Sequence, residues 1–159
     1  TAECNPESVT ADKLLAMRSL GVNRISLGVQ SLCDDNLRAI GRVHDRRTAL
    51  EKIKLIKEYF SNLSVDFIVG LPFDTDEKIV EELVEVAPLV EHISVYTLSV
   101  EAGTPLEKLV SSGKMTVADC DKQMDLFDIA CKTLSSLGFE RYEISNFARP
   151  GRESRHNIP

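Results

Sequence analysis

Apolar and polar residues along this chain switch repeatedly between alternation and helical spacing. Glu3-Cys4 reads as the end of a strand that Pro6 terminates. Thr10 can cap a helix carrying Leu14, Leu15, Met17 and Leu20 on one face, with Gly21 as its stop. Arg24 to Val29 predicts a strand, and Asp34 to Ile40 a short helix. Ala49, Ile53, Ile56 and Phe60 recur at helical spacing, which predicts a longer helix from Arg47 to Phe60. Leu63 to Val69, rich in β-branched and aromatic residues, predicts the next strand. Asp74-Thr75-Asp76-Glu77 has the form of a capping box, opening a helix that ends near Val90. Ile93 to Leu98 follows as a strand. Thr104-Pro105-Leu106-Glu107 then combines an N-cap, a first-position proline and an acid at the third position. Thr116 to Asp119 begins a last long helix, whose face is Cys120, Met124, Phe127, Cys131 and Leu134. Arg141 to Ser145 is the final predicted strand.

Strands alternating with helices imply a parallel sheet with right-handed crossovers, hence an α/β fold. An open doubly wound sheet and a TIM-like barrel both satisfy the pattern. Glu3, Gln30 and Tyr96 fall at or just after the C-terminal ends of strands. That is the rim where parallel α/β folds assemble their sites.

Composition narrows the function classes. The 159 residues suffice for one domain with a sizeable core, and 43% hydrophobic with 28% charged is ordinary for a globular chain. A net charge of −6 without a basic patch argues against a nucleic-acid partner. No apolar run reaches the length of a membrane span. The opening residues have neither the basic nor the apolar region of a signal peptide, and the chain is expected to start inside a larger protein. The four cysteines form no C-x-x-C pair, which favours a reducing compartment and a cytoplasmic location.

Several residues could carry chemistry. Asp66 stands in mid-strand, where a carboxylate is costly unless paired or hydrogen-bonded, so it is either a functional acid or a structural one. Glu3 could face a ligand cation or be a solvated loop acid. Gln30 offers a donor and an acceptor suited to sugar hydroxyls, and Gly28 permits close approach; a turn with a packing glycine is the plainer alternative. Arg42 is a natural partner for a ligand carboxylate, although Arg42 and His44 could equally be surface charges. Gly70-Leu71-Pro72 is a tight turn, and nothing more when read in isolation. Cys120 and Cys131, on one helix, are about 16 Å apart and cannot share a metal, so they read as core residues. His156 lies in a polar, Arg-rich tail; it could ligate heme iron or simply be exposed. No Ser/His/Asp grouping, P-loop or HExxH is present, and no catalytic residue is assigned.

Taken in order, the segments form a specific set. It runs Glu3-x-Asn5-Pro6, Gly21 to Ser31 (GVNRISLGVQS), Gly41-Arg42-Val43-His44, Asp66 to Pro72 (DFIVGLP), Ser94 to Leu98, Glu101 to Thr104, Tyr142 to Ala148 (YEISNFA) and His156-Asn157. This set resembles the radical S-adenosylmethionine (SAM) proteins of the oxygen-independent coproporphyrinogen III oxidase family, with the heme-chaperone branch the closer match. The resemblance implies a partial (β/α) TIM-like barrel of the radical SAM type. Residues 1–148 would be the central and C-terminal part of the core barrel and 149–159 the start of the tail. It also implies SAM and a [4Fe–4S] cluster in the barrel mouth, where the reduced cluster cleaves SAM to a deoxyadenosyl radical. Glu3, Gln30, Arg42 and Asp66 match SAM-binding positions: Arg42 for the methionyl carboxylate, Glu3 for the amino group, and Gln30 and Asp66 for the ribose hydroxyls. The implied partners are heme or a porphyrin and a heme-accepting protein, with His156 as a heme contact. The family's C-x-x-x-C-x-x-C motif and glycine-rich loop are absent from this chain, and its cluster ligands are expected upstream. The chain alone is therefore expected to be inactive in radical chemistry. Three functions stand: heme chaperone, coproporphyrinogen III oxidase, and a barrel enzyme that does not use SAM.

Overall fold

A computed structural model describes residues 1–158. Its strands are β1 (Ala2–Cys4), β2 (Ile25–Gln30), β3 (Leu63–Val69), β4 (His92–Thr97), β5 (Glu140–Arg141) and β6 (Asn146–Ala148). Its helices are α1 (Ala11–Ser19), α2 (Asp34–Ala39), α3 (Arg46–Tyr59), α4 (Asp76–Val86), α5 (Pro105–Ser111) and α6 (Cys120–Ser136). One sheet runs β1-β2-β3-β4-β6-β5. Its first four strands are mutually parallel, as in the radical SAM partial barrel, and β6 is antiparallel to both β4 and β5.

Helix starts follow the capping chemistry. Thr10, Asp45, Thr75, Thr104 and Asp119 each accept a backbone N–H three residues on, satisfying a donor that the first turn leaves free. Two boundaries move from the pattern-based ones. The cap of α4 is Thr75, because Asp74 turns back to accept the Gly70 and Leu71 N–H groups. The cap of α6 is Asp119.

One face of the sheet is apolar. Ile25, Leu27, Val29, Leu63, Val65, Phe67, Ile93 and Val95 are fully or almost fully buried in one core with Leu14 of α1, Ile53 and Ile56 of α3, Leu83 of α4, and Leu126 and Leu134 of α6. Each such side chain contributes about 1.5–3 kcal/mol by leaving water. On α1 only Leu14 is buried, while Leu15 and Leu20 are exposed, so the predicted stripe there is not the packed one. On α6 the buried stripe is Leu126, Phe127, Ala130 and Leu134. Met124 and Cys120 point to solvent and Cys131 is half-buried, so Cys120 is not a core residue.

The expected strand over Arg141–Ser145 is instead a hairpin. Glu143 accepts the Ser145 N–H and the Asn146 side-chain amide, and Arg141 donates to the Glu143 and Ile144 carbonyls. These bonds fold residues 142–145 into a tight link, and so short a link permits only antiparallel pairing. Beyond β6, Arg149 donates to the Ala87 carbonyl, and the Ser154 N–H donates to the Tyr142 hydroxyl, holding the following segment against the sheet.

Candidate functional site

The opposite face of the same sheet is polar, because side chains alternate along each strand. β2 turns Ser26, Gly28 and Gln30 to this face, β3 turns Ser64 and Asp66, and β4 turns His92, Ser94 and Tyr96. Register aligns Glu3 with Ser26, Asp66 with Ser94, and Ser94 with Asn146. A row of hydrogen-bonding groups therefore crosses five strands.

Two cavities open on this row. The first, about 420 Å³, is lined by Glu3, Asn5, Gly28, Gln30, Arg42 and Asp66 among others. The second, about 540 Å³, is lined by Arg24, Ser94, Tyr96, Asn146 and His156, and shares Glu3, Ser26 and Asp66 with the first. Glu3, Gln30, Arg42 and Asp66, four positions distant in sequence, thus face one space. His156 sits apart from Gln30 and Arg42, in the second cavity.

The first cavity is shaped by unusual backbone. Gln30 is the one non-glycine residue with positive φ among those described, at 68°. It lies where the β2–β3 register shifts between Leu27 and Gln30. Such conformations cost about 1–3 kcal/mol and persist where the surroundings impose them. Gly28 is needed for a different reason. A Cβ there would stand 3.1 Å from Gln30 Nε2, 3.2 Å from Asn5 Oδ1 and 3.7 Å from Arg42 Nη2. Arg42 Nη1 in turn donates to Asn5 Oδ1 at 3.2 Å. The missing side chain makes room for three polar groups to converge.

Asp66 is the shared wall. The Ser26 hydroxyl approaches its Oδ2 at 3.3 Å. Burial raises its pKa, opposed by the neighbouring Ser94 and Ser26 hydroxyls and by the charge of Arg24. His44, in contrast, is no surface charge. It is buried, with Nδ1 3.2 Å from Glu7 Oε2 and Nε2 3.0 Å from the Val29 carbonyl, so it braces the bulged end of β2. The Gly70-Leu71-Pro72 turn lines neither cavity, and its N–H groups are taken by Asp74. No group of three or more His, Cys, Asp or Glu side chains among the described residues could hold a metal ion.

Three features escaped the pattern reading. Arg24 immediately precedes β2 yet is only 8% exposed, and it lines the second cavity. Its place two residues before Ser26, in phase with Gly28 and Gln30, was the available signal. A buried relay joins Ser64 Oγ to His92 Nδ1 at 2.7 Å, and His92 Nε2 to the Tyr142 hydroxyl at 2.7 Å. Burial, aided by Arg24, lowers the His92 pKa to about 4, so the ring is neutral. Tyr142 also accepts from the Ser154 N–H, so its hydroxyl joins the neutral ring to the segment after β6. The third feature is the buried Glu82 with half-buried Asp74 near it; partners on separate segments hide it from any local pattern.

The sequence signature of the Radical SAM superfamily matches residues 1–86. The chain is 36% identical over 158 residues to a Bacillus subtilis (strain 168) protein named "Heme chaperone HemW", covering 98% of this chain and 42% of that protein. It is 39% identical over 162 residues to the Danio rerio "Radical S-adenosyl methionine domain-containing protein 1, mitochondrial", covering 99% and 36%. The chain thus spans about two fifths of the curated relatives it matches. Among solved structures, the Escherichia coli radical SAM enzyme coproporphyrinogen III oxidase (HemN) superposes with a TM-score of 0.78 at 24% identity, over 94% of this chain and 35% of that one. That likeness speaks for the fold alone, while no helix among the described residues is long and apolar enough to cross a membrane. With the signature covering more than half of the residues and parallel strands ending on a common polar face, the chain belongs to the radical SAM superfamily.

Proposed function

We propose that this chain is the SAM-binding part of a heme chaperone. The observation that carries the reading is the convergence of Glu3, Gln30, Arg42 and Asp66 on one cavity of about 420 Å³. SAM carries a carboxylate, an ammonium, a sulfonium and ribose hydroxyls, and this donor set answers them. Arg42 would take the carboxylate through its fork of N–H groups, and Glu3 the ammonium. Gln30 and Asp66 would take the ribose hydroxyls, Asp66 as an acceptor and Gln30 as both donor and acceptor. The strained backbone at Gln30 and the open space at Gly28 hold these groups in place before the ligand arrives. Membership of the superfamily implies a [4Fe–4S] cluster alongside SAM, but the described residues include no candidate ligand group for it. The part assigned to this chain is therefore binding and orientation, and the cofactors supply radical chemistry when bound.

The chaperone reading rests on the relatives that bear that name over almost the whole chain. Titrating SAM against full-length wild-type protein and Arg42→Ala tests the pocket. A loss of tenfold or more in affinity is expected, and equal affinities remove the assignment. Incubating the reconstituted full-length protein with SAM and coproporphyrinogen III separates chaperone from oxidase. Protoporphyrinogen formation rejects the chaperone, and heme binding without turnover supports it.

A further inference from the structure

Arg24 is a largely buried cation with no salt-bridge partner among the described residues. It is 8% exposed. No carboxylate among the described residues lies within ion-pairing distance of it, and its Nε–H has no hydrogen-bond partner. No neighbouring side chain accepts a hydrogen bond from it, and most are engaged elsewhere. The Tyr142 hydroxyl serves His92 and Ser154, and Asn146 Oδ1 accepts from Ser94. Asp66 is held by Ser26 and influences Arg24 only through space. A guanidinium stays charged at any ordinary pH, and holding one so enclosed without a paired acceptor is costly.

A second orphan lies in the same place. Asn62 Oδ1 is the other buried side-chain atom without a partner among the described residues, and it shares with Arg24 a cavity of about 270 Å³ whose lining also includes Arg152, Arg155 and His156. Three arginines and a histidine line this space, against a single acidic residue, Glu153, whose side chain already accepts from the Gly151 N–H. Arg24 and His156 also line the 540 Å³ cavity, so the two spaces adjoin through them. Unsatisfied polar atoms of native interiors call for a ligand, a water or an ion. Here the surplus charge fixes the sign.

We propose that the cavity framed by Arg24, Asn62, Arg152, Arg155 and His156 is a carboxylate subsite that anchors a propionate of the tetrapyrrole, placing the macrocycle toward the larger cavity. This rests on the heme reading above. The ligand supplies the oxygen acceptors that Arg24 lacks, and with its amide turned Asn62 would add an N–H donor beside them.

The test titrates hemin, and hemin whose two propionates are methyl esters, into full-length wild type, Arg24→Met and Arg24→Lys, following the Soret band. Arg24→Met should weaken hemin binding about 10- to 100-fold, the range of a charge-assisted hydrogen bond. It should leave the diester unchanged, and Lys should recover part of the loss. Ligand-free Arg24→Met should melt at or above the wild-type temperature, since it removes a largely buried charge that has no salt-bridge partner. Equal hemin binding by wild type and Arg24→Met overturns the subsite and leaves the heme reading standing. So does equal weakening of hemin and diester, or a lower melting temperature, each of which marks Arg24 as structural. If wild type binds neither compound, the heme reading fails and the subsite with it.

Discussion

Glu82 offers a sharp test of how burial was traded against charge in this fold. It projects from α4, is 7% exposed, and its Oε1 accepts from the Ser31 hydroxyl at 3.0 Å. Burial raises its pKa from 4.5 to about 7, opposed by hydrogen bonds from the Leu32 N–H and Ser31, and nearby Asp74 pushes the same way as burial. An acid with a raised folded-state pKa prefers its proton in the native state. Its penalty is absent below pH 4.5, grows up to about pH 7 and is constant above. Between pH 5 and pH 8 that penalty grows by about 2.5 kcal/mol, since one unit is about 1.36 kcal/mol. Glu82→Gln keeps the size and one acceptor but cannot ionise. Its extra NH₂ group, if left unpaired, costs about 1–3 kcal/mol at every pH. The stability difference between Gln and wild type should therefore shift by about 2.5 kcal/mol in favour of Gln from pH 5 to pH 8. Urea unfolding of both proteins at the two pH values measures it. A difference that does not change with pH would refute the reasoning, whatever its sign, because a pH-independent loss would reflect packing alone.

Two further outcomes follow from the polar face. Gly28→Ala should lower SAM affinity about tenfold while shifting the melting temperature by only a few degrees, because the new methyl displaces Gln30, Asn5 and Arg42 rather than the backbone; unchanged affinity by calorimetry would count against the pocket. Tyr142→Phe removes the hydroxyl that joins His92 to the Ser154 N–H and should destabilise the protein by about 1–3 kcal/mol in chemical denaturation; a loss below about 0.5 kcal/mol would mean that water replaces it.

Much of the architecture was legible along the chain. The periods of two and 3.6 placed four parallel strands and the helices between them, and Thr10, Thr104 and Gly21 marked ends where the structure has them. These signals are local, carried by residues within a turn or two of one another. The same alternation that buries Val65 and Phe67 turns Asp66 to the other face, so a mid-strand acid already pointed to a polar side of the sheet. What failed was also instructive. Arg141 to Ser145 has the composition of a strand, but Glu143 folds it into a hairpin using an amide and N–H that lie beyond it.

Tertiary structure alone decided which distant groups meet. Glu3, Gln30, Arg42 and Asp66 arrive at one cavity from three strands and a loop, and only the parallel register and the bulge at Gln30 bring them there. Arg24 looks in the sequence like any polar residue opening a strand. Its burial, its missing partner and its neighbours Asn62, Arg152 and Arg155 exist only once β2 lies beside β3 and the segment after β6 folds back across the sheet. Hydrophobic period is set by each residue's own position and survives in one dimension. Desolvation and unpaired charge depend on what every other segment does, and so become visible only in three.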